Sequence, residues 1–173
     1  MNKTIIMDTR EKTGKKDRIL NWFEQNGIKV VRSKLYVGDW SFLHNQTLCI
    51  DTKQDLKEVY GNLVQSHERF RAELVRAKEA GIKLVVLVEE KGIETVDDVQ
   101  NWTNPRQIIY ERMKERGDVK LPKKPPISSK RLMLIMKIMS ENYGVEWRFC
   151  RREKTGETIL RILEENDGSQ LSD

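Results

Sequence analysis

A chain of 173 residues with 38% hydrophobic residues is long enough to bury one substantial core and short for two domains. Its 34% charged fraction and net charge of +5 suit an anionic partner without requiring one. No run of 18 apolar residues supports a membrane span, no charged leader with an apolar signal core precedes the first strand, and the two cysteines, Cys49 and Cys150, lack CxxC spacing and read as reduced core residues, so the expectation is a cytoplasmic protein without a zinc cluster.

In chain order the pattern is mixed α/β. Lys3 to Asp8 reads as a strand. Lys15 to Gln25 is an amphipathic helix with Ile19, Leu20 and Phe23 inward, stopped by Asn26-Gly27. Ile28 to Arg32 is a short strand. Tyr36 to Leu43 and Thr47 to Lys53 alternate polar and apolar residues as a hairpin joined through His44 to Gln46. Asp55 caps a short helix, with Glu58 completing a capping box. Ser66 to Ala80 is a longer helix with Phe70, Leu74 and Ala77 on one face and Gly81 as its stop. Lys83 to Glu89 is apolar without alternation, the pattern of a strand buried on both faces. Residues 91 to 128 form a less regular insertion: Asp97-Asp98 cap a short helix, Asn104-Pro105-Arg106 open another reaching about Arg116, and a loop with Pro122, Pro125 and Pro126 follows. An apolar helix around Leu132 to Met139, a strand from Gly144 to Cys150 and a final helix close a single domain spanning 1–173.

The hairpin carries the chemistry. With a three-residue connection, opposed residues have numbers that sum to 90, which sets Asp39 against Asp51, and Lys53 shares the face of Asp51. Facing carboxylates repel, and a divalent cation between them is a reason to keep them. A plain solvated face is the alternative.

Three segments, Asp8-Thr9-Arg10-Glu11 at the end of the first strand, Gly38-Asp39-Trp40, and Ile50-Asp51-Thr52-Lys53, resemble in order the nuclease domain of the XPF/Mus/Hef family of structure-specific endonucleases, within the PD-(D/E)xK group. The resemblance runs from about residue 1 to 88 and resumes over about 129 to 163. It implies a restriction-endonuclease-like mixed central sheet flanked by helices, and DNA hydrolysis with Mg²⁺ or Mn²⁺. Asp39, Asp51 and the Thr52 carbonyl then form the metal cage, and Lys53 orients or deprotonates the attacking water. Asp8 and Glu11 are additional catalytic carboxylates, Asp8 being a further metal ligand, and Arg10 holds a phosphate or pins a carboxylate bidentately. Three departures stand out. The family's Glu-Arg-Lys is Asp51-Thr52-Lys53, its aspartate four residues past the lysine is Lys57, and the tandem helix-hairpin-helix module that usually follows is missing.

His67 and Arg69 open the helix after the hairpin, where an N-terminus favours phosphate. From Val119 to Ser140 there are six basic residues and no acidic one, and Lys120, Lys123 and Lys124 make a candidate DNA-contacting arm or a solvated loop. The apolar stretch Leu132 to Met139, with the strand beside it, is either core or a homodimer interface over about 131–150. The functional expectation is a metal-dependent DNA endonuclease acting in repair, recombination or DNA processing in a bacterial or phage-infected cell. An inactive nuclease-fold module that binds DNA or protein, and a small restriction or Holliday-junction-resolving enzyme, remain open.

Overall fold

Leu84 to Val88 are each at most 3% exposed, and their alternate side chains enter two separate cores. They lie on a strand, Lys83–Glu89, inside a six-stranded mixed sheet seen in a computed structural model that describes residues 3–12 and 14–168. The ends of the expected 1–173 domain lie outside the described residues. The strands are β1 (Thr4–Asp8), β2 (Lys29–Ser33), β3 (Trp40–Phe42), β4 (Leu48–Lys53), β5 (Lys83–Glu89) and β6 (Glu146–Cys150), in spatial order β2-β1-β3-β4-β5-β6. β1 pairs with β2, β4 with β5 and β5 with β6 in parallel, and β3 runs antiparallel to both neighbours. This is the α/β architecture expected.

One face of the sheet is covered by α1 (Asp17–Gln25) and α6 (Thr155–Gly168), with Ile19, Phe23, Ile159 and Ile162 packed on Trp40, Ile50, Val85 and Leu87. The other face is covered by α2 (Leu56–Tyr60), α3 (His67–Glu79) and α5 (Ser129–Tyr143), with Leu56, Phe70, Leu74 and Met136 on Cys49, Val86 and Val88. Because β-strand side chains alternate, β4 contributes Leu48 and Ile50 to the first layer and Cys49 to the second. Asp51 and Lys53 continue the second face at the strand's end, and Thr52 continues the first.

Several boundaries differ from expectation for local reasons. The strand expected over Tyr36 to Leu43 is only Trp40–Phe42, because Gly38 takes φ +72° and breaks the ladder before it. The register itself is as expected: Trp40 pairs with Ile50. The Asp39 amide also donates to the Ile50 carbonyl at 2.8 Å, so Asp39 sits just beyond the ladder. Asp55 caps α2 by accepting from the Glu58 amide at 2.8 Å, but Glu58 reaches back to the Gln54 amide, one residue earlier than a capping box needs. At the short helical turn Val96–Asn101 the cap is Thr95, and Asp98 answers it from the third position.

The insertion contains α4 (Pro105–Glu115), capped by Asn104, followed by an exposed loop. The loop's end is tied down where the Ile127 amide donates to the Tyr60 hydroxyl at 3.1 Å. Trp102 packs against the core, and the Arg106 guanidinium lies 5.3 Å over the Tyr60 ring, so both serve as anchors here. The apolar α5 is core on the side that carries Leu132, Met133 and Met136, whereas Leu134 and Ile138 are exposed. The expected interface therefore reduces to those two outer residues and excludes Met136. Among the described residues, no helix is long and apolar enough to cross a membrane.

A Cβ at position 38 would sit 3.0 Å from the Ile50 carbonyl oxygen and 3.2 Å from the Cys49 Cβ, in a left-handed backbone that disfavours side chains. Gly38→Ala is expected to cost about 1–3 kcal/mol, read as a lower urea midpoint with an unchanged m-value. An unshifted midpoint would show that this turn relaxes freely.

Candidate active site

The C-terminal ends of β1 and β4 and the start of β3 open onto a cleft of about 420 Å³. Its floor is acidic. Asp51 is 5% exposed, Asp39 lies beside it, and Glu11, Glu58 and Glu73 also line the cleft. Two lysines reach this floor from opposite layers of the fold. Lys53 comes from β4 on the α3 side, its Nζ 2.8 Å from Asp51 Oδ2 and 5.9 Å from the Phe70 ring centre. Lys16 comes from the turn that opens α1. Its Nζ donates to Thr52 Oγ1 at 2.6 Å and lies 3.2 Å from Glu11 Oε2 and 3.8 Å from Asp39 Oδ2.

Asp39 is oriented by its neighbours. The Thr52 amide and hydroxyl both donate to its Oδ2, at 2.9 and 2.6 Å. Its carbonyl accepts from the Asp8 amide at 2.8 Å, which couples the end of β1 to the start of β3. Gly38 presents its amide to Glu73 Oε1 at 3.0 Å, so the same turn fixes a carboxylate from α3.

Asp51 carries the strongest electrostatic perturbation. Burial raises its pKa most, Lys53 opposes this, and the negative charges of Asp39 and Glu73 add to the rise, leaving the group pushed up to about 8. Its buried Oδ2 has no hydrogen bond of good geometry, although the Lys53 ammonium is close by. These two observations agree if the contact is an ion pair approached from a poor angle, and the short distance is the part that matters for the charge. Burial lowers the pKa of Lys53, but the adjacent Asp51 outweighs it and the ammonium is held protonated well above its ordinary range. In this ion pair Lys53 is placed to donate and to balance the charge of Asp51. Glu11 is raised, first by burial and then by Asp39, with Lys16 opposing.

Asp8 and Arg10 are tied to each other at the end of β1. Arg10 Nε and Nη2 donate to the two oxygens of Asp8 at 2.7 and 3.1 Å, and the Leu35 and Arg10 amides add bonds at 2.7 and 2.8 Å. Burial raises the Asp8 pKa, and these four donors together overcome it and leave it lowered. Both carboxylate oxygens are thus committed, and Asp8 anchors the segment that follows β1. Arg10 does pin a carboxylate bidentately.

α3 meets the cleft along one side, from Arg69 in its first turn onward. Arg69, Phe70, Glu73 and Arg76 line the cleft, whereas His67 is exposed and lies off it. Lys120, Lys123 and Lys124 are exposed on the insertion loop and are not part of the cleft wall. Lys57 pairs with Asp55 at 3.8 Å, away from the floor, while Glu58 Oε1 comes within 4.0 Å of Lys53.

Lys16, Glu73 and Arg76 escaped the sequence reading. A signal for the first two existed. Lys16 precedes Ile19 and Phe23 at helical spacing, and Glu73 sits three residues after Phe70, so each is a charge on an inward stripe. Buried charges on such stripes are rare and need partners. Among the described residues, no group of three or more His, Cys, Asp or Glu is gathered closely enough to hold a metal by side chains alone. The pair Asp39–Asp51 with a backbone carbonyl is the remaining donor set. A cation suits it chemically, because a buried carboxylate with a raised pKa and a poorly satisfied oxygen is what a cation would relieve.

Comparison with known proteins identifies a family and a matching fold. The family described as the ERCC4 domain matches residues 7–162. A solved structure described as XPF from Aeropyrum pernix in complex with DNA has a TM-score of 0.61 at 17% identity, covering 99% of this chain and 68% of that one. A second, described as XPF from Aeropyrum pernix, has a TM-score of 0.60 at 19% identity, covering 95% of this chain and 65% of that one. A search of curated proteins finds no match.

The Asp51 shift fixes a pH dependence. The folded carboxyl binds its proton more tightly than the unfolded one, so its contribution to stability is present in full below 3.8 and is lost as pH rises through about 8. In metal-free buffer the protein is expected to lose unfolding free energy between pH 5 and pH 9, and Asp51→Asn is expected to flatten that slope. Denaturant titrations at the two pH values measure it, and equal slopes in the two proteins would remove Asp51 as the source.

Proposed function

The chain belongs to the ERCC4 domain family, and from that premise we propose that it is a divalent-metal-dependent DNA endonuclease that prefers branched or otherwise irregular DNA. The observation that carries the metal reading is Asp51, a buried carboxylate beside Asp39 whose Oδ2 no hydrogen bond of good geometry satisfies. Asp39, Asp51 and the Thr52 carbonyl would hold Mg²⁺ or Mn²⁺. The ion would supply a bound water of lowered pKa and positive charge for the phosphorane-like transition state. Lys53, with its Nζ 2.8 Å from Asp51, would orient that water or a phosphate oxygen, or help deprotonate the water, and offset the charge of Asp51.

The cleft wall suits a phosphate backbone. Above the acidic floor stand Lys12, Lys15, Arg69 and Arg76, four cations spaced around the opening, and the exposed part of Arg10 adds a fifth. A cationic rim draws in the polyanion, and the acidic floor takes the metal that neutralises it locally. The structurally similar XPF from Aeropyrum pernix was solved in complex with DNA, which supports DNA as the class of substrate. Cutting both strands together would need a second copy of the chain, and the outer face of α5 with Leu134 and Ile138 is where such a copy has apolar surface to meet. DNA repair, recombination or the processing of DNA in a bacterial or phage-infected cell is the setting in which such an activity would be used.

Cleavage of a panel of labelled duplex, fork, flap and junction DNAs should proceed with Mg²⁺ or Mn²⁺ and stop with EDTA. Asp51→Asn should lower the rate by at least about 100-fold, the several kcal/mol that a metal clamp supplies. Cutting by Asp51→Asn at the parental rate would sink the site, and no cutting of any substrate by the parent would favour a module that only binds.

The insertion loop gives a separate test. Replacing Lys120, Lys123 and Lys124 with alanine should weaken DNA binding and reduce the salt slope by roughly two to three, at about 0.9 for each phosphate no longer neutralised. Turnover at saturating DNA should be unaltered. An unchanged slope would make the loop merely solvated.

A further inference from the structure

Lys16 is a lysine at the cleft that the fold buries, at 8% exposure, more fully than Lys53. Its neighbours Lys12 and Lys15 are exposed on the rim. Burying an ammonium is costly unless oxygens surround it, and here three do: the Thr52 hydroxyl at 2.6 Å, the Glu11 carboxylate at 3.2 Å and the Asp39 carboxylate at 3.8 Å. We infer that Lys16 is a positioning residue which, through the Thr52 hydroxyl, sets the orientation of Asp39 for the metal. The inference rests on the nuclease reading above.

The direction of each bond carries the argument. A threonine hydroxyl has one proton to give and lone pairs to accept with. An ammonium can only donate, so Lys16 takes a lone pair of Thr52 Oγ1 and leaves the hydroxyl proton for an acceptor. That acceptor is Asp39 Oδ2, at 2.6 Å. The Thr52 amide bonds the same oxygen at 2.9 Å. Two donors of fixed direction on one carboxylate oxygen hold the group in a single rotation. The chain Lys16 to Thr52 to Asp39 is therefore ordered from its cationic end, and charge-assisted bonds of this kind are the stronger ones. Asp51, on the opposite face of β4, is held by its own lysine. Each metal-facing aspartate thus has one buried ammonium, supplied from a different layer of the fold. The ammonium of Lys16 also compensates Glu11, which would otherwise stand uncompensated next to Asp39.

Direct binding of a DNA phosphate is the competing role, and burial argues against it, since the ammonium is already occupied by protein oxygens while exposed cations stand nearby. The two roles separate kinetically. Removing a phosphate-binding cation raises the KM for DNA, whereas disturbing the orientation of Asp39 lowers kcat and metal affinity.

The test uses Lys16→Met, Thr52→Val and the double variant, each checked for parental folding by circular dichroism. Thr52→Val is nearly isosteric and leaves every charge in place, so it remains informative if Lys16→Met does not fold. Mn²⁺ binding by calorimetry should weaken about 10-fold in Thr52→Val, within the range usual for residues that orient metal ligands. Both single variants should lose about 10- to 100-fold in kcat with a DNA KM within about twofold of the parent, and the double variant should be no worse than the weaker single one, because both changes break one relay. Parental Mn²⁺ affinity and kcat in Thr52→Val, multiplicative losses in the double variant, or a raised KM with unchanged kcat would each overturn the role. A parent protein that neither binds Mn²⁺ nor cuts DNA would overturn the nuclease reading and this role with it, whereas a fully active parent beside unaffected variants would overturn the role of Lys16 alone.

Discussion

The arrangement at the end of β4 depends on the contact between Lys53 and Asp51. Two residues on one face of a strand stand side by side, so an aspartate and a lysine at positions i and i+2 meet without any help from the rest of the chain. Tertiary structure then removes both from water. Desolvation alone would neutralise either group, and each keeps the other in play: Asp51 holds the proton on Lys53, and Lys53 limits how far the Asp51 carboxyl is driven up. Because the pair is buried, its balance is sensitive to any third charge, and Asp39 and Glu73 both bear on it.

The sheet makes that balance possible. Antiparallel β3 lies between β1 and β4, so the ends of parallel-running β1 and β4 and the start of β3 come together at one edge. Asp8, Asp39 and Asp51 collect there from three strands. They do not act alike. Asp8 is saturated by Arg10 and Leu35 and becomes a structural anchor, while Asp39 and Asp51 remain the pair on the floor. The Asp8 amide nevertheless reaches the carbonyl of Asp39, so the anchored aspartate helps determine where Asp39 stands. Gly38 belongs to the same construction. Its left-handed backbone lets the chain pass within contact distance of Ile50 and frees its amide for Glu73.

The two helical layers divide the remaining work. The α3 layer supplies Glu73 to the floor and Arg69 and Arg76 to the rim, and the α1 layer supplies Lys16 from below. Polar groups sit on the inward stripes of both helices only at this end of the sheet, where the sandwich gives way to the cleft. Elsewhere those stripes are apolar and fill the two cores. The insertion stays apart from this chemistry. It is fastened to Tyr60, close behind the site in sequence, yet its lysines face solvent.

Periodicity by itself determined the α/β class, the buried strand Lys83–Glu89, the hairpin register and the placing of Asp51 and Lys53 on one face, because each is a consequence of backbone geometry over a few residues. The order of the three motif segments was enough for the family. The sequence placed Asp8 as a further ligand beside Asp39 and Asp51 but could not show which donors hold it, because the Leu35 amide reaches it only through the fold. It favoured core for the stretch around Met136 but left an interface as the alternative, because an apolar helix does not say which of its faces meets the sheet. Lys16 and Glu73 were decided by tertiary structure altogether: their partners lie 36 and 35 residues away in the chain, and a contact across that separation exists only once the layers have closed.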